Sequence, residues 1–311
     1  ITSFSSGFYM RVFLIIEYPE KKEKSAVSGE NCAFFMPGNC AGIAACMDQT
    51  LYPGEDGGRY AVYAAANQAA AFGVRYPSGI LLRIALPPGT PEETLQRIVR
   101  GAGEAAKELG IPVLDTKAGV SFGVRTALTS ALALGETGEA ETGRKRGQAA
   151  GLSENRQVVM TKWAGLEGSV LLAKLCGETL RQRYPAWLLE ETERMEQYLS
   201  VRKEAAAAGE SGADVICAAA EGGIFHALWT LAQRAGVGLD IDLKRIPIRQ
   251  ETVEICNTLD INPYELLSNG SLLCLSSRGE ELVRCLAEEG IFAAVIGSAV
   301  PGNDRVVRNG E

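Results

Sequence analysis

The stretch Ala220-Glu221-Gly222-Gly223-Ile224 sets a glycine pair at the start of an amphipathic segment that continues through Ala227-Leu228-Trp229. Backbone N–H groups at a helix start have no partner inside the helix, and glycine lets an anion come close. Gly222 and Gly223 are therefore the first candidates for holding a phosphate. The plainer role is a tight strand-to-helix turn, and Glu-Gly-Gly alone is short enough to favour it. His226, the single histidine of the chain, sits one step off the Ile224/Leu228/Leu231 stripe and reads as a helix-surface residue rather than a general base. With one histidine available, Ser-His-Asp or Cys-His catalysis would rest on it entirely. Lys162 either faces an anion or is solvated.

None of the eight cysteines has Cys-x-x-Cys spacing, so the set does not suit a structural zinc site. Their Ala, Val, Ile and Leu neighbours predict small buried hydrophobes in a reducing compartment. The chain has 311 residues, 46% hydrophobic and 22% charged, with a net charge of −7. That length suggests two domains. An acidic balance argues against nucleic acid as a partner, because phosphate neutralisation needs a basic face. It places no bar on a small anionic ligand held by a local positive site. No apolar run approaches a membrane helix, and Val12-Phe13-Leu14-Ile15-Ile16 reads as a strand, so a cytoplasmic protein without a membrane partner is expected. Residues 1–9, ahead of Met10, are either an extension or an artefact of an upstream start.

These residues must be positioned by alternating elements. Strands are expected at 32–36 and 43–47 around a Pro37-Gly38-Asn39 turn, and the alanine-rich run 59–72 reads as a helix. A strand at 80–86 precedes a helix that Thr90 would cap, with Pro91-Glu92-Glu93 in its first turn and Gly110 at its end. Strand character returns at 111–114 and 120–134. Residues 136–157 are glycine-rich, charged and aperiodic, which reads as a linker or mobile loop. Beyond it, strands at 158–161, 214–218, 239–243, 272–275 and 292–296 alternate with helices at 166–180, 187–208, 224–235, 252–259 and 280–289. Mixed α/β layers follow from that alternation.

Several motifs recur together in one order: Thr161-Lys162-Trp163-Ala164-Gly165-Leu166-Glu167-Gly168, Glu221-Gly222-Gly223, Ile246-Pro247-Ile248-Arg249-Gln250-Glu251-Thr252, Ile261-Asn262-Pro263-Tyr264, Ser268-Asn269-Gly270-Ser271-Leu272-Leu273 and Val295-Ile296-Gly297. In this ordered set the chain resembles the aminoimidazole ribonucleotide (AIR) synthetase superfamily, in its synthetase-related and hydrogenase-maturation-factor branch. The likeness is dense from about residue 158 onward and looser over 30–135. It implies an α/β (α+β) fold of two domains, 30–135 and 158–311, joined by 136–157. The N-terminal sheets of two copies would pair in a barrel-like homodimer core. It further implies ATP between the domains, Mg²⁺ held by acidic residues, and ATP-dependent ligase or phosphotransferase chemistry on a small, phosphorylated or carbonyl-type acceptor.

Carried over position by position, the resemblance puts a metal carboxylate at Asp48 and nucleotide contacts at Asn67, Gly222 and Gly223. The chain departs from the family's acidic pattern elsewhere. Asn31 stands in Gly29-Glu30-Asn31-Cys32 where relatives carry an acid. Asn67-Gln68 replaces Asn-Asp, Asp115-Thr116-Lys117-Ala118-Gly119 replaces a Gly-Gly-His-Thr-Glu-like turn, and Ala218-Ala219-Ala220 replaces Asp-x-Thr. Acids have become amides or apolar residues, which predicts a partly eroded Mg-ATP site. Asp48, Glu55, Asp56 and Asp115 make an alternative, rearranged acidic set. An active enzyme and a non-catalytic homodimeric scaffold both stay open at this point.

Overall fold

The computed structural model describes residues 26–28, 31–35, 42–50, 54–137 and 156–310. The strand expected at 12–16, the turn at 37–39 and nearly all of the 136–157 linker lie outside the described residues. Two six-stranded sheets organise the rest. The first is built from β1 (Ala26–Ser28), β2 (Cys32–Phe35), β3 (Ile43–Thr50), β4 (Gly79–Leu86), β5 (Val113–Val120) and β6 (Leu128–Glu136), in the order β1-β2-β3-β6-β4-β5. The second contains β7 (Gln157–Thr161), β8 (Val215–Ala218), β9 (Gly238–Asp242), β10 (Leu272–Ser276), β11 (Ala293–Val300) and β12 (Arg305–Arg308), in the order β12-β9-β11-β7-β10-β8. Pairing is antiparallel except for β4 with β5 and β12 with β9.

Helix α1 (Gly57–Ala71) forms where the alanine-rich run predicts it. Its side chains are small and almost every one is buried, the pattern of a helix covered on all sides. One flank lies on the inward face of the first sheet, where Ala131 and Ala133 of β6 let it approach closely. It also abuts α2 (Glu92–Leu109). Gly58 permits that contact, since a Cβ there would stand 2.0 Å from the Ile98 carbonyl oxygen. The other flank meets the second half of the chain: Leu166, Val170 and Leu171 of α3 (Leu166–Leu175), with Met195 and Leu199. The two halves thus share one hydrophobic core through α1.

The helix expected at 187–208 is broken. The structure has α5 (Ala186–Arg194), a 3-10 turn at Met195–Tyr198, and α6 (Arg202–Glu210). No proline or glycine marks this break. Side chains from elsewhere satisfy the backbone groups it frees. Lys162 Nζ donates to the carbonyls of Tyr198 (2.8 Å) and Ser200 (2.6 Å). Asn67 Nδ2 donates to Leu199 O (2.7 Å), and Asn67 Oδ1 accepts from Val201 N (3.0 Å). The third proton of Lys162 goes to Glu204 Oε1 on α6 at 2.6 Å, with both side chains about 95% buried. Lys162 is therefore not solvated, and the anion it faces is the chain's own Glu204 carboxylate.

Thr90 does not cap α2; Pro91 occupies that position and Thr90 Oγ1 donates to Pro87 O. The expected helix 166–180 divides at Cys176 into α3 and α4 (Gly177–Arg181). Strand character at 120–134 resolves into the end of β5, a loop, and β6. Cys32 and Cys46, register partners on β2 and β3, form a disulfide rather than two free thiols. Cys217, Cys256 and Cys274 are buried free cysteines as expected, while Cys285 is exposed.

Removing one member of a fully buried ion pair leaves the other charge uncompensated. Lys162→Ala and Glu204→Ala should each cost about 3–5 kcal/mol in denaturant unfolding. Exposed Arg75→Ala, which breaks a surface pair with Glu210, should change stability by less than about 1 kcal/mol.

Candidate functional site

Residues from both halves meet in a small cavity between the sheets, lined by Asp48, Tyr60, Glu167, Glu221 and Asn269 among others. Asp48 comes from β3, where strict alternation turns Ala44, Cys46, Asp48 and Thr50 inward. A one-residue slip of register would turn this carboxylate outward. Asp48 Oδ1 accepts the Gln49 N–H at 2.7 Å, whereas Oδ2 is buried without a hydrogen-bond partner. The side-chain amides of Asn31 and Gln68 lie close enough to favour its charge, yet neither closes a hydrogen bond on Oδ2.

Glu167 is set in the first turn of α3, where an acid also suits the helix dipole. The polar motif before β10 holds that turn. Gly165 N donates to Ser268 Oγ (2.9 Å), Gly168 N to Leu267 O (2.9 Å), and Ser271 Oγ to Trp163 O (2.7 Å). Asn269 Oδ1 accepts from Asn67 Nδ2 at 2.8 Å, and its side chain lies close enough to Glu167 to favour that carboxylate's charge. A chain of amides therefore runs from α1 to the carboxylate. Glu221 stands immediately before α7 (Gly223–Ala235). Tyr60 reaches the cavity from α1 while its hydroxyl donates to Glu196 Oε1, which Lys174 also binds together with Asp56.

The three acids repel one another in a poorly solvated space. Burial, then the Glu221 charge, raises Asp48 to about 6, against the partial relief from Gln49, Gln68 and Asn31. Glu167 is pushed up to about 8 by burial and by the charges of Asp48 and Glu221. Burial also raises Glu221, with His226 pulling the other way. Such an acidic set fits a hard divalent cation, which prefers carboxylate, amide and water oxygens. Among the described residues, no three His, Cys, Asp or Glu side chains stand close enough to hold a metal ion as they are. The carboxylates share an electrostatic field rather than a finished coordination shell.

The other sequence candidates fall in different places. Asn67 is fully buried, and both ends of its amide are committed to Leu199, Asn269 and Val201. At the start of α7, Gly223 N donates to Ala220 O, while Ile224 N and Phe225 N share the Tyr264 carbonyl at 2.8 and 3.3 Å. Those amides are occupied by the chain itself. Gly222 and Gly223 both have positive φ, and a Cβ on Gly223 would lie 2.4 Å from Tyr264 O. Turn shape and close packing give the glycine pair a structural role. The alternative acidic set does not assemble: Glu55 pairs with Arg97, Asp56 pairs with Lys174, and Asp115 is exposed on β5. His226 is exposed, as its offset from the apolar stripe suggests. Glu167, Glu221 and Asn269 are site residues that reading the sequence did not single out. Their signal was their place inside the recurring motifs, each polar group beside a glycine.

Residues 29–138 match the family model described as AIR synthase related protein, N-terminal domain, and residues 154–309 match its C-terminal domain. A hydrogenase expression/formation protein of Methanocaldococcus jannaschii is 24% identical over 236 residues, covering 76% of this chain and 66% of that protein. Carbamoyl dehydratase HypE of Rhodobacter capsulatus is 28% identical over 275 residues, covering 83% of this chain and 74% of the relative. A crystal structure of the hydrogenase maturation protein HypE in complex with ATP superposes with a TM-score of 0.65 at 20% identity, covering 89% of this chain and 84% of the other. The mixed α/β fold with two sheets is the AIR-synthase-like fold.

A pKa raised in the folded state means that protons bind the native protein more tightly than the unfolded chain. In chelator-treated protein, the contribution of these acids to stability is best near pH 4 and falls as pH rises through about 6 and 8. Glu167→Gln removes part of that penalty. At pH 8.5 it should raise Tm by about 2–4 °C for each kcal/mol relieved, with little gain at pH 4, as read by thermal unfolding across pH.

Proposed function

The chain belongs to the AIR synthase related family, and from that premise we propose that it is an ATP-binding protein of the hydrogenase-maturation branch, with a weakened Mg²⁺ site in the cavity between its two sheets. Residues 30–135 and 158–311 act as its two domains, joined by 136–157, and its place of action is the cytoplasm. The observation that carries the reading is the unpartnered, buried Oδ2 of Asp48, facing a cavity that Glu167 and Glu221 share. Asp48 and Glu221 would hold the cation, with Glu167 anchored through Asn269. When bound, Mg²⁺ neutralises the charge on the phosphate oxygens.

The chain's own residues do the rest. The Ser268–Ser271 segment fixes the turn that carries Glu167. Gly222-Gly223 places Glu221 and tolerates the close approach of Tyr264. The cavity has room for about one water molecule, so nucleotide binding must widen the cleft. Relatives named carbamoyl dehydratase act on a carbamoyl group, which points to ATP-dependent activation of a carbonyl-type acceptor here. Asn31 and Gln68, amides at positions acidic in relatives, lower the charge available to the cation and weaken the site. They also favour a second reading, a non-catalytic scaffold that binds a small phosphorylated ligand without turnover.

Calorimetry with millimolar Mg²⁺ and ATP should show binding that Glu221→Gln weakens about tenfold or more. No heat under those conditions would defeat the first reading, and Mg²⁺-dependent ATP cleavage abolished by Asp48→Asn would defeat the second.

A homodimer fits the outward face of the first sheet. Met47, Leu132 and Leu81 are register partners across β3, β6 and β4, and none is fully covered. Leu114, 55% exposed on β5, extends the apolar surface. Light scattering should report a dimer for the native chain and a monomer for Met47→Asp with Leu132→Asp.

A further inference from the structure

We propose that the Cys32–Cys46 disulfide is a reducible staple that sets the position of Asp48 and so switches cation and nucleotide binding in the cavity between the sheets. The proposal rests on the reading of that cavity as the Mg-ATP site. Its structural half, the coupling of the disulfide to Asp48, stands on contacts independent of any ligand.

Cys46 and Asp48 are two residues apart on the inward face of β3, so both project from the same short stretch of backbone. Cys32 is directly opposite Cys46 in the β2–β3 register. Both amides that flank Asp48 are tied to Cys32. Asn31 precedes it in the chain, and Asn31 O accepts the Met47 N–H at 2.8 Å. Cys32 Sγ lies 3.8 Å from the backbone carbonyl oxygen of Gln68. Whatever moves Cys32 therefore moves the groups that set the field at Asp48.

Reduction frees it to move. The bonded pair holds the two Cα atoms 4.0 Å apart, closer than the roughly 4.5 Å of an ordinary non-hydrogen-bonded antiparallel pair. Two separate thiols need van der Waals spacing, and Cys46, which has no exposed surface, sits in the shared core and cannot retreat. β2 is the strand able to yield: it has four residues and is backed on its outer side by the three-residue β1. The same weak edge gives a reductant access by local opening. Disulfides in reducing compartments are characteristically transient and redox-sensing, which is the role assigned here.

The step is thiol–disulfide exchange with a dithiol. A dithiol thiolate attacks Sγ of Cys32, the less buried of the two cysteines, and the S–S bond breaks with its electron pair leaving on Cys46, which takes up a proton. The second thiol of the reductant then attacks the mixed disulfide and releases Cys32. Two electrons pass from the dithiol to the protein, giving two protein thiols and one oxidised dithiol.

The test compares the full chain before and after dithiothreitol, with thiols counted by alkylation and mass spectrometry. Reduction should leave Cys32 and Cys46 as thiols that alkylate once the chain is denatured, and should increase hydrogen exchange across residues 43–50 several-fold. It should also change Mg-ATP affinity by tenfold or more. Cys32→Ser should match the reduced protein in both readouts and no longer respond to dithiothreitol. If exchange over 43–50 is the same in both redox states, or if the two cysteines are free in air-oxidised protein, the staple is refuted. If exchange responds but no nucleotide binds in either state, the staple stands as a structural device and the Mg-ATP reading, with the switch built on it, fails.

Discussion

The docking of one alanine-rich helix between two sheets is the constraint on which the rest of the molecule depends. Helix α1 buries nearly all of its surface, against β3, β6 and α2 on one side and toward Leu166, Val170, Met195 and Leu199 of the second half on the other. Small side chains make that possible, because they let backbone approach backbone on both flanks. Asn67, in the middle of this helix, binds Leu199, Val201 and Asn269 at once. A single buried amide thereby ties α1 to the 199–201 turn and to the 268–271 segment, which in turn holds the start of α3. Without α1 seated in this way, the acids of the two halves would not face one another.

Bringing them together is electrostatically unfavourable, and the structure manages the cost differently at each acid. Asp48 keeps much of its charge because a backbone N–H and two nearby amides oppose its desolvation. Glu167 is more deeply buried, has one amide partner, and keeps its proton near neutral pH. Lys162 is the contrasting case. It is as buried as either acid, yet its three protons all find acceptors and its charge is matched by Glu204. Buried charge at Lys162 is spent on holding the chain in place, while buried charge at Asp48 is left unmatched on one oxygen. Completeness of partnering is what separates Lys162 from Asp48.

Much of the fold was legible in the residues themselves. The apolar alternation of 79–86, the stripe of α2 ending at Gly110, and most strands of the second sheet stand where periodicity puts them. Periodicity failed where long-range partners replaced local ones. The 187–208 stretch has an unbroken helical pattern, and its break is stabilised by Lys162 and Asn67, residues far away in the chain. The edge strand β12 has only four residues and no strong pattern. For the site, the acids at 48, 167 and 221 come from three widely separated stretches of the chain. No local spacing announces that they share a cavity, and Asp48 emerged only through the family likeness.

Alternation of strands and helices, the closeness that alanine and glycine allow, and the acidic character of individual positions are written in the order of residues, because each depends on neighbours along the chain. Only the packed molecule decides that Gly223 packs closely against Tyr264, that Lys162 closes an ion pair, and that Cys32 meets Cys46. It alone leaves one oxygen of Asp48 unmatched between two other acids. Those outcomes depend on which distant groups arrive to satisfy a buried donor, acceptor or charge, and arrival is settled by the seating of α1 between the sheets rather than by any local run of sequence.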